Sequence, residues 1–408
     1  MAEKVNVPAI RFKGFTEAWE QRKLSNICSM HARIGWQNLR TSEFLDTGDY
    51  YLVTGTDFDN GRINFNTCHY VEKERYDQDP KIQIDNGNIL ITKDGTLGKV
   101  ALVEGLDKPA TLNAGVFNVT IKSGNIDGKY LYQYLKAPFL MDYVSKHATG
   151  GTIKHLNQNI LVDFPVLLPK VEEQRKLGEL YHNLDNLITL HQRKLLKLKN
   201  VKTAMLEKMF PKNGRDVPEI RFSGFTEAWE QCKLGDLGRV AMNKRIFKDQ
   251  TSEKGEIPFF KIGTFGGEPD SFITRELFED YKSKYPYPRK GDILISASGS
   301  IGRTVEFTGD DEYFQDSNIV WLQHDNQVQN TFLKHFYSIV KWDELEGSTI
   351  KRLYNKNILD TQIMLPKPQE QEKLGLFLNN LDKLITLHQR KLEKLKNLKK
   401  ACLDKMFV

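Results

Sequence analysis

The stretch LPKVEEQRKLGELYHNLDNLITLHQRKLLKLKNVKTAMLEKMF, residues 168–210, returns as LPKPQEQEKLGLFLNNLDKLITLHQRKLEKLKNLKKACLDKMF, residues 365–407. At this offset of 197, 30 of 43 positions are identical, and LITLHQRKL is unchanged at 187–195 and 384–392. Leu177, Leu184, His191, Leu198 and Met205 fall at every seventh position, as do Leu374, Leu381, His388, Leu395 and Cys402, with Leu180, Leu187 and Val201 between the first set. The spacing predicts two long amphipathic helices, starting near Glu172 and Gln369 just after prolines. At about 1.5 Å per residue, some 38 residues make a rod of roughly 57 Å. One small domain cannot bury the apolar stripe of so long a rod, so each helix is expected to pair with the other as an intramolecular coiled coil. An antiparallel pairing, with the halves related by a pseudo-twofold axis, is favoured. A parallel one needs a crossover longer than residues 211–217, which the intervening domain would have to supply.

Working outward, a second repeat precedes each helix. Ile10-Arg11-Phe12 and GFTEAWEQ at 14–21 recur as Ile220-Arg221-Phe222 and 224–231, at an offset of 210. Repeats dictate architecture before local propensity does. The expected division is 1–167 as a first α+β domain with its arm, 168–210 as a helix, 211–217 as a linker, 218–364 as a second α+β domain with its arm, and 365–408 as the second helix. Trp19 and Trp229, in the shared arms, are expected to pack inside these domains and not to stack on a ligand.

The middles, roughly 25–167 and 235–364, differ in length and share two islands. The first is Gly87-Asn88-Ile89-Leu90-Ile91 leading to Gly95-Thr96-Leu97-Gly98-Lys99, matched by Gly291-Asp292-Ile293-Leu294-Ile295 leading to Gly299-Ser300-Ile301-Gly302-Arg303. It reads as strand, glycine turn, strand. Lys93, Thr96 and Lys99 in one half, and Ser296, Ser298, Ser300 and Arg303 in the other, set donors beside backbone N–H groups that glycine leaves uncovered, which suits phosphate oxygens. The second island, GGTIK at 150–154 and GSTIK at 347–351, is followed by polar residues. Thr152, Lys154, His155 and Asn157 stand against Thr349, Lys351, Arg352, Tyr354 and Asn355, and Asn, Arg and Lys are side chains that pair with base edges in the major groove. A plain hairpin turn and a solvated loop before a helix remain open as alternatives for the two islands. Lys244-Arg245 and Lys282 to Lys290 are secondary candidates.

Composition bounds the rest. The chain has 408 residues, 39% apolar and 27% charged, with 59 Lys+Arg against 53 Asp+Glu. That is enough for two or three globular units and compatible with a polyanion partner. No run approaches the roughly 20 apolar residues of a bilayer helix, and the first residues lack signal-peptide order, so a cytoplasmic chain is expected. Cys28, Cys68, Cys232 and Cys402 form no CxxC pair and are read as free thiols. The sequence contains no GxxxxGK[ST], HExxH, GxSxG or [ND]PP-aromatic motif. His191 and His388 read as register-setting residues on the helix seam, and Glu172-Glu173 as a match to the helix dipole. No catalytic constellation and no metal or cofactor site is expected in this chain.

An arm reading RFKGFTEAWEQRKL, a variable domain and a long helix opened by LPxxxEQxKL, all given twice, resemble the specificity subunit of type I restriction-modification enzymes. The resemblance covers nearly the whole chain. It implies that the two middles are target recognition domains for the halves of a split double-stranded DNA site. It also implies that the helices set the spacer and dock two modification subunits, with restriction subunits as further partners. S-adenosylmethionine, ATP and Mg are implied for the partner subunits and not for this chain. A coiled-coil adaptor without DNA binding and a stand-alone DNA methyltransferase are the competing readings.

Overall fold

The computed structural model describes residues 6–34, 39–147, 156–212, 214–325, 327–342 and 352–407. The two stretches that share the heptad pattern are continuous α-helices, Val171–Lys208 and Pro368–Met406. Each opens on acidic residues, Glu172 and Glu173 or Glu370, and closes on a lysine, Lys208 or Lys405, which matches both ends of the helix dipole. The chain forms two compact units, Met1–Arg193 with Gln389–Val408, and Lys194–His388. Each long helix therefore gives its first half to one unit and its second half to the other.

In the first unit, a six-stranded sheet runs in the order Cys28–His31, Val116–Ile121, Ile89–Thr92, Val100–Leu102, Arg62–Ile63, Phe58–Asp59. Ile89–Thr92 is buried at every position, as its unbroken apolar run requires of a central strand. A four-stranded sheet orders His69–Val71, Tyr50–Val53, Ala110–Leu112 and Gln83–Ile84. The second unit is smaller in strand count. Its sheets are Gly238–Ala241, Ile319–His324, Ile293–Ser296, Thr304–Glu306 and, separately, Phe272–Ile273, Ile257–Phe260, Tyr313–Phe314. In both, the arm strand pairs antiparallel with the strand that leads into a long helix, Glu20–Lys23 with Pro165–Leu168 and Glu230–Lys233 with Gln362–Leu365.

The shared LPxxxEQxKLG motif explains how each helix is seated. Arg11 forks onto Glu173, Nε to Oε1 at 2.9 Å and Nη2 to Oε2 at 2.7 Å, and Arg221 forks onto Glu370 at 2.7 and 2.8 Å. Both carboxylates are almost wholly buried, so the bidentate fork is what allows them there. The following glutamine holds the domain: Gln174 Oε1 accepts from Asp127 N at 2.9 Å, and Gln371 Oε1 from Gln329 N at 2.8 Å. Four residues on, Gly178 and Gly375 let a second helix come close, Gly128–Lys136 in one unit and Asn330–Tyr337 in the other. A Cβ on Gly178 would lie 2.7 Å from Tyr130 N, and one on Gly375 2.6 Å from Thr331 Oγ1. Trp19 packs edge-on against Tyr130 and Phe407, and Trp229 against Phe210 and Phe332.

Within each unit the long helices run antiparallel. In the first, Asp185, early in one helix, pairs with Lys399, late in the other, at 2.6 Å. In the second, Lys202 pairs with Asp382 at 2.5 Å. These are the same two repeat positions used twice. The core takes in Leu177, Tyr181, Leu184 and Phe407 in the first unit and Phe210, Leu374, Leu378 and Leu381 in the second. One element of the seam is corrected. Leu187 does not join the stripe but is 44% exposed, as are Leu384 (44%), Leu190 (45%) and Leu387 (45%). Ile188 and Ile385 turn inward instead, because a straight helix drifts off a strict sevenfold repeat.

A buried histidine gives the second unit a pH dependence. His335, 1% exposed, hydrogen-bonds Asn379 Oδ1 at 3.1 Å. Burial, with the nearby Lys202, lowers its pKa from 6.5 to about 4. The unfolded chain then binds more protons between pH 6.5 and 4, so stability falls as the pH drops through that window. About 2 kcal/mol is expected to be lost between pH 7 and pH 5. His335→Gln, which installs the residue found at the matching position 133 of the first unit, should flatten this term in urea titrations at the two pH values. An equal pH dependence in the variant would refute the assignment.

Candidate nucleic-acid interface

The glycine turn is built the same way in both units. In the first, Thr92 ends the strand, and its buried hydroxyl donates to Thr96 O and accepts from Lys99 N at 2.9 Å. Gly98 N returns to Thr92 O at 2.9 Å, and Gly95 and Gly98 both take φ near +70°, which favours glycine. In the second unit, Ser296 Oγ donates to Ser300 O at 2.5 Å and accepts from Arg303 N at 2.9 Å, and Gly302 N returns to Ser296 O. Gly299 and Gly302 again have positive φ.

In each unit a residue just after the second island, about 60 positions on in sequence, bonds back to the glycine turn. Leu156 N donates to Lys93 O at 2.9 Å, and Leu353 N donates to Ala297 O at 2.8 Å. A third segment completes the cluster. Lys93 N donates to Gly115 O at 2.9 Å, and Ala297 N to Asn318 O at 2.7 Å.

On these frames the candidate side chains differ. Thr96, Lys99 and Asn157 are exposed, and Lys93 is half-buried with its ammonium 5.7 Å from the Phe117 ring centre. In the second unit Ser300, Arg303, Tyr354 and Asn355 are exposed. Ser298 Oγ donates to Asn318 Oδ1 at 2.7 Å, Arg352 Nη2 to Ser317 O at 2.9 Å, and the Arg352 guanidinium lies 5.8 Å from the Tyr354 ring centre. Arg303 Nη2 reaches Gly266 O at 3.3 Å. Ser296 is corrected. It is 1% exposed with its hydroxyl engaged on both sides, so it holds the turn and presents no donor at the surface. Thr152, Lys154, His155, Thr349 and Lys351 lie outside the described residues.

The third segment was missed in the sequence. Asn318 and Ser317, the latter at φ 50°, follow Asp316, which pairs with Arg245 at 3.0 Å. The only signal was an Asn before a β-rich run in QDSNIV, a turn mark shared with many loops. Arg245 had been a secondary candidate, and the ion pair places it beside this segment. Among the described residues no group of His, Cys, Asp and Glu is placed to hold a metal ion.

A family model for the type I restriction modification DNA specificity domain matches residues 16–200 and 226–397. The chain belongs to this family. It is thus a specificity subunit of a type I restriction-modification system. A type I restriction enzyme specificity subunit of Haemophilus influenzae is 56% identical over 153 residues, 37% of this chain and 40% of that protein. The MjaX specificity subunit of Methanocaldococcus jannaschii is 23% identical over 422 residues, 95% of this chain and 92% of its own length. A crystal structure of a type I restriction-modification S subunit from M. genitalium superposes with a TM-score of 0.66 at 16% identity, covering 98% of this chain and 99% of that one. The specificity-subunit fold of two α+β domains joined through paired long helices is therefore present here. No helix among the described residues is long and apolar enough to cross a membrane.

Proposed function

We propose that each unit reads one half of a split double-stranded DNA site, that the long helices set the unread spacer, and that they dock two modification subunits. The readers are the variable parts of 1–167 and 218–364, and the spacer elements are 168–210 and 365–408. Restriction subunits join the same assembly where the system cleaves. S-adenosylmethionine, ATP and Mg serve those partners in the cytoplasm.

One observation carries this reading: the same turn, clamped by Thr92 or Ser296 and tied to Leu156 or Leu353, displays different side chains in the two units. Thr96 and Asn157 in one, and Ser300, Arg303, Arg352 and Tyr354 in the other, would present different hydrogen-bond patterns to a duplex. The exposed leucines at 187, 190, 384 and 387 support partner docking, since they place apolar surface on both helices at matched positions.

The test is sequencing for N6-methyladenine in DNA from cells expressing the chain with its modification subunit, against cells lacking only this chain. A split motif is expected that disappears with the chain. Methylation that persists unchanged would overturn the reading.

A further inference from the structure

The positive charge of the second long helix is uneven. Its first half, 368–388, has two Lys/Arg against three acids, whereas 389–406 has seven against two. That second half packs in the first unit, where it lines an open cleft of about 630 Å³. The end of the glycine turn, Gly98 and Lys99, and Gln192 of the first long helix also line it.

Four lysines, 99, 136, 396 and 399, and two aspartates, 59 and 185, line this cleft. Asp185 is committed. It holds Lys399 at 2.6 Å and Lys136 at 3.1 Å and accepts from Gln133 at 2.8 Å. Asp59 accepts from the neighbouring Asn60 side chain at 2.8 Å. Lys99 and Lys396 are exposed and make no ion pair among the described residues. The cleft thus keeps two uncompensated ammonium groups beside the turn assigned to half-site reading. Lysine is a flexible point charge with three donors, suited to phosphate oxygens and poor at distinguishing bases.

We propose that this cleft holds the sugar–phosphate backbone of the target DNA next to the half-site, through Lys99 of the turn and Lys396 of the second helix, without reading bases. The inference rests on the half-site reading above and extends it to a residue of the second long helix. Each lysine neutralises a phosphate and so displaces condensed counterions when DNA binds.

The experiment uses the full chain with its modification subunits and a duplex carrying the motif found by methylation sequencing, with affinity measured from 50 to 200 mM salt. Each lost phosphate contact lowers the slope of log affinity against log salt by about 0.9. Lys396→Gln is expected to lower it by about 0.9, and Lys99→Gln with Lys396→Gln by about 1.8, so that across this salt range affinity falls about 3-fold and about 12-fold less than for the unaltered complex. Lys396→Arg should keep the slope, the methylated motif should be the same with Lys396→Gln, and Lys254→Gln, at an exposed lysine of the other unit, should change nothing. An unchanged slope for Lys396→Gln with the motif intact overturns the proposal while leaving half-site reading in place. Weaker assembly with the modification subunits at an unchanged slope also overturns it, and assigns the cleft to an acidic protein surface. If the unaltered complex yields no split motif, the half-site reading and this proposal fall together.

Discussion

Four residues inserted into the first long helix within 178–205, with four at the matching point within 375–402 of the second, are expected to move the two half-sites apart without altering either half-sequence. Each helix begins in one unit and ends in the other, so its length is shared by both readers. Four residues add about 6 Å, less than two base-pair steps of about 3.4 Å. Matched insertions are needed because the pairs Asp185–Lys399 and Lys202–Asp382 fix the antiparallel alignment from both sides. A longer segment in one helix alone would break one of these pairs or bulge. On the original site, one reader would meet its half out of register. Mispaired positions cost about 1–3 kcal/mol each, so two of them already lower affinity about 30-fold or more. Methylation mapping of the insertion variants decides the matter. Loss of methylation at the old spacing with gain at a longer one is the expected result, and an unaltered spacing in a folded variant would remove the helices from the role of ruler.

The parts of this arrangement that were legible in the sequence are those that occur twice. Glu173 and Glu370, Gln174 and Gln371, Gly178 and Gly375 stand at the same offset because each performs one mechanical task in both units: holding the arm arginine, holding a domain loop and admitting a helix. The glycine turns could be found for the same reason. Their neighbours could not, because the contact that recurs in both units, Gly115 O or Asn318 O accepting from the turn, is a backbone hydrogen bond, which places no demand on side-chain identity. Ser296 misled in the opposite way. A hydroxyl beside two glycines reads as a free donor, but here it closes the turn by bonding Ser300 O and Arg303 N. Leu187 failed as a seam residue since apolar periodicity alone does not separate a stripe facing the partner helix from one left exposed.

Exchange of residues 25–148 for the corresponding segment of a related specificity subunit is the second variant with a large expected effect: one half of the methylated motif should be replaced and the other kept. The segment carries the glycine turn and its third-segment partner Gly115, whereas the arm residue Arg11 and its partner Glu173 stay behind. Among the contacts that cross the junctions, three seat the long helix and the turn. Asp127 N donates to Gln174, the helix Gly128–Lys136 presses on Gly178, and Lys93 O accepts from Leu156 N. Two of the three use backbone groups of the exchanged segment, which a relative of the same fold supplies whatever its sequence. The third requires only that Gly178 be retained, and it lies outside the exchange. The second unit keeps its own core of Phe210, Trp229, Phe332 and Leu374, none of which belongs to the exchanged segment. Its half-site should therefore persist at full methylation, while the donor's half replaces the other. Disappearance of both halves from a chain that still assembles with modification subunits would show that the two units do not read independently.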